Sequence, residues 1–458
     1  MAASRPWSGP CAAPPPRDQG GTARSPPPSP AAPAGPPPPT ATPAARPCRR
    51  NQPVPPSPPP AIARGQRINP RPSTPEVLEV SKRLLSSSAL VAASLLTAGE
   101  AGAVERIKLG LGGFFSAFVV AGQEDDGVGE PGFARRGHKV SREAEIYFRG
   151  ETTLDNGVQV GAIVELEAES CVDQIDESYI YVEGWFGRVQ IGQKDPATDA
   201  MFYGAPTPIT RHGVTTPTFT YHQFGTNAVA TPVVIANLSG DAEKVTYFMP
   251  RFAGFQLGVS YTPDNCEEAF GAGGAGAFGC GGSYSGFQFE NSAGQQAEIF
   301  EAAINFVEKF GEVDVALYAA YIRGNLESDV PVGTFKDQEQ YGFGAQFGYA
   351  GFVLGGSYKH DNRGLAGPDL DRREWGLGLT YAFQAWTLGV QYYDGEVEIG
   401  AGLGEDSIEA VELGGSYELG PGIVLTGGVQ FWKLDSDSAG IAARNDATIF
   451  IVGAHIGF

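Results

Sequence analysis

Residues 141–170 decide the fold: SREAEIYFRGETTLDNGVQVGAIVELEAES. The first part alternates. Ala144, Ile146 and Phe148 point one way, and Glu145, Tyr147 and Arg149 the other, because successive side chains of a strand face opposite sides. Asn156-Gly157 then supplies the positive φ that a tight hairpin turn needs. The chain returns with Val158, Val160, Ala162, Val164 and Leu166 on one face and Glu165, Glu167 and Glu169 on the other. Each segment is too short and too polar on one face for a membrane helix. It is long enough to cross a bilayer as a tilted strand of a barrel.

The same unit recurs along the chain. Short turns fall at Gly184–Gly187, Pro250–Gly254, Lys309–Gly311, Tyr349–Gly351, Gln384-Ala385 and Leu419–Gly422. Longer segments intervene at 123–139, 194–242, 263–295, 324–336, 361–370, 396–407 and 435–444. Counting strands between these breaks gives sixteen, from ERIKLGLGGFFSAFVV (105–120) to the terminal TIFIVGAHIGF (448–458). An even count with alternating short and long connections predicts an all-β fold, a closed antiparallel transmembrane barrel. Closure pairs every backbone polar group within the protein, as a lipid environment requires. Aromatic residues at strand ends (Trp185, Phe186, Tyr349, Phe352, Phe383 and Trp386) suit the aromatic girdles at the two membrane interfaces. On the last strand, Phe450, Val452, Ala454, Ile456 and Phe458 face lipid, and His455 faces the lumen.

Composition agrees. Of 458 residues 63 are glycine and only 18% are charged. No apolar run is long enough for a membrane helix. The formal net charge is −20, which argues against nucleic acid as a partner. Prolines crowd residues 1–80, a stretch that cannot bury a core. Residues 81–103 have the layout of a signal peptide: Lys82-Arg83, the apolar Leu84–Ala98, then Ala101-Gly102-Ala103. The expected organisation is a Pro-rich leader at 1–80, explicable by a start site assigned too far upstream, a signal peptide at 81–103 and a barrel at 104–458.

RGETTLDNGVQVGAIVELEAE (149–169), DESYIYVEGWFGRVQIGQ (176–193) with its long following loop, and the terminal GAHIGF (453–458) together resemble the Gram-negative general porins of the alphaproteobacterial type. The resemblance covers about residues 104–458. It implies an outer-membrane homotrimer of 16-stranded barrels in a bilayer with lipopolysaccharide. It also implies a third long loop folded into the lumen and a final aromatic, Phe458, recognised by the barrel-assembly machinery. The Pro-rich leader and the Gly- and Cys-bearing segment 263–295 depart from the family pattern.

The implied function is a water-filled channel for passive diffusion of small hydrophilic solutes and ions, whose constriction sets what passes. Segment 194–242 follows the fifth strand and is too long for a plain connection. Its early acids Asp195 and Asp199 are expected to face Arg149, Arg188 and Arg372 on the wall. Each of these eyelet charges has a plainer alternative, a solvated lumen residue with no role in selectivity. The lumen acids Glu145, Glu165, Glu167 and Glu169 outnumber those arginines, so cation preference is expected. GQEDDG (122–127) and LDSDSAG (434–440) are read as solvated loop acids, with bound Ca²⁺ the alternative, because neither has EF-hand spacing. No cofactor is expected. Cys266 and Cys280 share one loop and could bridge, leaving Cys171 free, although other pairings stay open. The rival functions are a barrel lipase or protease and a non-conducting adhesive barrel. The histidines, His138, His212, His222, His360 and His455, have no nucleophile motif beside them.

Overall fold

A computed structural model describes residues 106–124, 136–168, 175–217, 221, 232–265, 292–437 and 444–458. The leader and signal segments, Glu169, Cys171, His222, Cys266 and Cys280 lie outside the described residues. So do the centre of GQEDDG and the end of LDSDSAG.

The strands are β1 (Lys108–Glu124), β2 (His138–Thr153), β3 (Gln159–Glu167), β4 (Ile175–Gly184), β5 (Gly187–Gln193), β6 (Glu243–Phe248), β7 (Phe255–Asp264) and β8 (Gln296–Phe310). They continue as β9 (Val313–Leu326), β10 (Gln338–Tyr349), β11 (Phe352–Asp361), β12 (Arg372–Phe383), β13 (Trp386–Glu398), β14 (Glu405–Gly420), β15 (Ile423–Ser436) and β16 (Arg444–Gly457). Each pairs antiparallel with its sequence neighbours, and β16 pairs with β1 to close the barrel. The founding hairpin forms as expected: Glu145 lies opposite Glu167 and Arg149 opposite Ile163. Gly157 takes a φ of 79° in the turn. At the seam Ala117 faces Ala454. Phe458 and Gly113 exchange both backbone hydrogen bonds at 3.0 Å. The terminal residue is therefore a paired member of the sheet.

The outer surface is ordered by depth. On β12 the outward residues run Arg373, Trp375, Leu377, Leu379, Tyr381 and Phe383. From Trp375 to Phe383, eight steps of about 3.3 Å at ~40° tilt span roughly 20 Å, close to the height of an apolar belt. Of the expected aromatics, Trp185, Tyr349, Phe352, Phe383 and Trp386 are exposed, and all lie at the short turns. The ring at the other interface, the long-loop end, is built instead from Phe300, Tyr321, Tyr341, Trp375 and Phe431. Its members sit in strand interiors, so no turn marks them.

Inside, the picture departs from a simple polar lumen. The third long connection, residues 194–242 (L3), folds into the barrel. Its return limb supplies Val214 and Val234 to a buried cluster with Phe118, Tyr393, Ile408, Trp432, Ile449 and Ile451. Ala236 and Leu238 join Ile299, Tyr318 and Ile322 in another. Where L3 covers the wall, burying apolar groups on the lumen face is favourable, at about 25 cal/mol per Å².

The lumen constriction as candidate functional site

L3 starts with a single helical turn, α1 (Ala197–Ala200). Ser260 Oγ on β7 accepts from Ala197 N at 2.8 Å, and the Tyr318 hydroxyl on β9 donates to the Thr198 carbonyl at 2.6 Å. From there the outward limb lies flat on the wall, because the wall carries glycine where the loop touches it. A Cβ at Gly355 or Gly378 would sit 2.5 Å from the Gly204 or Pro206 carbonyl oxygen, and one at Gly414 would sit 2.5 Å from Ile209 Cγ1. A Cβ at Gly344 would overlap the Tyr203 carbonyl outright.

Polar side chains of the wall then hold the loop's backbone. Gln391 Oε1 accepts from Val214 N at 2.7 Å. Glu374 Oε1 accepts from Val233 N at 2.9 Å. Glu301 accepts from Leu238 N at 3.1 Å and from the Ser239 hydroxyl at 2.5 Å. Thr426 Oγ1 accepts from Thr210 N at 3.1 Å. Glu374 and Glu301 are fully buried. Glu374 is balanced by Lys359 and Arg372, each at 2.7 Å. A buried carboxylate is tolerable only with such partners.

The expected eyelet does not assemble. Asp195, just before α1, and Asp199, within it, both converge on Asn237 Nδ2, at 3.0 and 3.2 Å. Both are buried at the loop's root. Burial, and then the charge of Asp195, push the Asp199 carboxyl up to about 8. Arg149, Arg188 and Arg372 do face the lumen, but at different heights. Arg149 and Arg188 lie near the short turns, whereas Arg372 opens β12 at its long-loop end. Arg188 is buried, 4.4 Å above the Tyr181 ring and 3.5 Å from Glu183. Arg188 stands at the short-turn end of β5, and Asp195 lies two residues past the other end, a separation of about 20 Å along the chain. The physical reason is local: Asn237 on the return limb gathers both acids, and Asp195 lies beside Glu177 and Asp241, not beside an arginine.

What the structure brings together instead is an acidic arc. Oxygens of Glu145, Glu167 and Asp176 lie within 4.8 Å of one another, as do those of Glu177, Asp195 and Asp241. Either set could share a cation by its chemistry, although the Lys194 ammonium is already paired with Glu177. Burial alone would lower the Lys194 pKa, but Glu177 raises it well above its usual range. Burial also raises Asp241, with Asp195 adding to the effect. Of the expected lumen acids, Glu145 and Glu167 come together here.

Six charged groups at this site were missed: Glu143, Asp176, Glu177, Lys194, Arg211 and Asp241. Glu143 shares the parity of Glu145 and was legible in the same strand. Lys194 and Arg211 lie in loop sequence, where no periodicity assigns a face. Arg211, at the far turn of L3, donates to Glu143 in a fork. His455 accepts from or donates to Ser116 Oγ at 2.9 Å. Among the described residues no carboxylate hydrogen-bonds that ring, and Phe114 stacks on it at 5.5 Å, so no hydrolase triad forms.

A closed sixteen-stranded barrel, girdled outside and narrowed inside by an infolded loop, defines a membrane channel. The sequence profile of Gram-negative porins matches residues 86–437. The chain belongs to that family. It is a non-enzymatic β-barrel of the Gram-negative outer membrane and a channel for passive diffusion. It is 24% identical over 301 residues to a porin of Rhodobacter capsulatus, covering 63% of this chain and 86% of that protein. Among solved structures it is similar to the anion-selective porin from Comamonas acidovorans, with a TM-score of 0.50 at 18% identity, covering 77% of this chain and 100% of that one. The trimer form of OmpT from Vibrio cholerae also matches with a TM-score of 0.50, at 13% identity over 77% of this chain and 100% of that one.

Proposed function

We propose that this porin admits small hydrophilic solutes with a preference for cations. The observation that carries the reading is the acidic arc on the lumen side of β2–β4 and at the roots of L3: Glu145, Glu165, Glu167, Asp176, Glu177, Asp195 and Asp241, set against Lys194 and Arg211. A passage lined by one sign of charge raises the local concentration of the opposite ion. The Comamonas porin is described as anion-selective; the lining proposed here works in the opposite sense. Reversal potentials in a salt gradient across a planar bilayer decide between the two, and anion preference refutes the reading.

The same proposal takes the protein as a homotrimer in a bilayer containing lipopolysaccharide. The trimer form of the Vibrio protein supports this, and so does the outer face of β2–β6. Residues 81–103 act as a cleaved signal peptide and Phe458 as the mark read by the assembly machinery. Deleting Phe458 lowers the amount of folded barrel in the membrane while leaving the conductance of each assembled pore nearly unchanged. Normal membrane levels of the truncated protein would refute that role.

A further inference from the structure

L3 turns back at Arg211, having run around the wall from β7 to β15. Thr210, just before it, is tied to Thr426 on β15. Arg211 then reaches past β16 and β1 to β2. Its Nε donates to Glu143 Oε2 at 3.1 Å and its Nη2 donates to Glu143 Oε1 at 2.7 Å. Glu145 Oε1 lies 3.6 Å away. The guanidinium carbon sits 3.7 Å from the centre of the Phe114 ring on β1. Both glutamates are buried. A second link joins the same turn to β2: His212 Nε2 and the Tyr221 hydroxyl are 3.0 Å apart, and that hydroxyl is 2.9 Å from Ser141 Oγ.

Arg211 also has a φ of 59°. A residue other than glycine holds a left-handed conformation at a cost, and keeps it where its surroundings impose it. The forked pairing is the surrounding that imposes it here, since two parallel N–H···O bonds fix direction as well as distance. The remaining ties of the outward limb are to β7–β15, and the loop's roots meet Glu177 on β4. The passage is therefore bounded by L3 on one side and by β2–β5 on the other, and Arg211 holds the loop at one edge of it.

We propose that the Arg211–Glu143 fork is a latch that sets the bore of the channel. This rests on the channel function and adds a residue that determines its size limit. With the fork closed, the turn of L3 is held on β2. With it broken, the His212–Tyr221–Ser141 link still ties the turn to β2, but the Arg211 side of the turn loosens and the passage widens.

Single-channel recordings of full-length protein in planar bilayers test the latch. Arg211→Gln and Glu143→Gln both break the fork, and both are expected to raise unit conductance and current noise. Their reversal potentials move in opposite directions, toward stronger cation preference for Arg211→Gln and weaker for Glu143→Gln. Arg211→Lys keeps the charge, loses the fork and is expected to raise conductance with little change in reversal potential. This mild variant guards against a failure of the others to fold. The exchanged pair, Arg211→Glu with Glu143→Arg, is expected to bring conductance back toward that of the unmodified protein. If conductance merely follows charge, rising in one neutral variant and falling in the other, or stays unchanged in all of them, the latch is wrong. An unmodified protein that conducts while its variants behave alike overturns only the latch. An unmodified protein without conductance overturns the channel reading and the latch with it.

Discussion

The arc β2–β6 and the arc β7–β15 are built from the same antiparallel ladder but turned to opposite surroundings. The outward side of β7–β15 has an aromatic ring at each end and aliphatic residues between. Its lumen side is largely covered by L3. On β2–β6 the outward side is small or aliphatic, with Ala144, Ala162, Ser178, Ile180, Ile191 and Val245, and among its aromatics are only Phe148 and Tyr247. Its lumen side carries the charged arc. The strands also differ in length: β5 and β6 have 7 and 6 residues, whereas β8 and β9 have 15 and 14. Six residues at about 3.3 Å and ~40° tilt cover only ~15 Å, short of the ~25 Å that a lipid-facing band needs. The difference teaches that strand length and aromatic content track the outside medium. Under the proposed trimer, the long arc faces lipid and the short arc a protein neighbour.

The largest effect comes from placing a charge on each arc. Leu379→Arg lies at the middle of the outward face of β12 and is expected to destabilise the barrel by about 2–4 kcal/mol. Ile180→Arg, on β4, is expected to leave the barrel folded and to yield monomers instead. Urea titration of the folded barrel and native-state electrophoresis measure the two outcomes. A monomer–trimer balance unaffected by Ile180→Arg, or equal destabilisation at both sites, would break the contrast.

A smaller effect sharpens the inner half of the comparison. Gly344→Val sets a side chain where the Tyr203 carbonyl lies, so L3 is pushed off the long arc toward the short one. Overpacking of this kind costs about 1–3 kcal/mol, and unit conductance is expected to fall. Gly157→Ala, in the turn of the short arc with open space around it, costs backbone strain but leaves conductance unchanged.

The smallest effect is a pH dependence at the far turn of L3. Burial lowers the His212 imidazole from 6.5 to about 4. The unfolded chain thus takes up a proton at higher pH than the folded one. His212 contributes its stability fully above pH 6.5, and that contribution is lost as pH falls toward 4. Hydrogen exchange at residues 209–215 is expected to quicken over that window in the native protein and not in His212→Asn. Exchange with no such dependence would remove His212 from the account.

Much of the fold was legible because β2–β4 alternate cleanly. Glu145, Glu165 and Glu167 lie on one side, and Ile146, Val164 and Leu166 on the apolar other, so period two is visible residue by residue. The terminal strand was harder. Ile449 and Ile451 face inward and Phe450 and Val452 outward, and both sides are apolar, since L3 and its cluster fill the lumen there. The constriction was the least legible part. Asp195 and Asp199 were expected to face wall arginines, but Asn237 on the return limb gathers both. The loop's own cation, Arg211, meets wall acids, reversing the expected polarity.

By itself the sequence determined the sixteen strands, the barrel's closure and the two-faced alternation of each strand. These follow from local rules: alternation along a strand, turn chemistry at Asn156-Gly157, and the need to pair every backbone group in lipid. Only the tertiary structure decided which charges meet. A loop of 194–242 carries no period that assigns faces, and its path is set by contacts far away in the chain. These are the glycines of β10–β14 that let it lie close, the buried acceptors of β8, β12 and β13 that hold its N–H groups, and Glu143, 68 residues before Arg211, that fixes its turn.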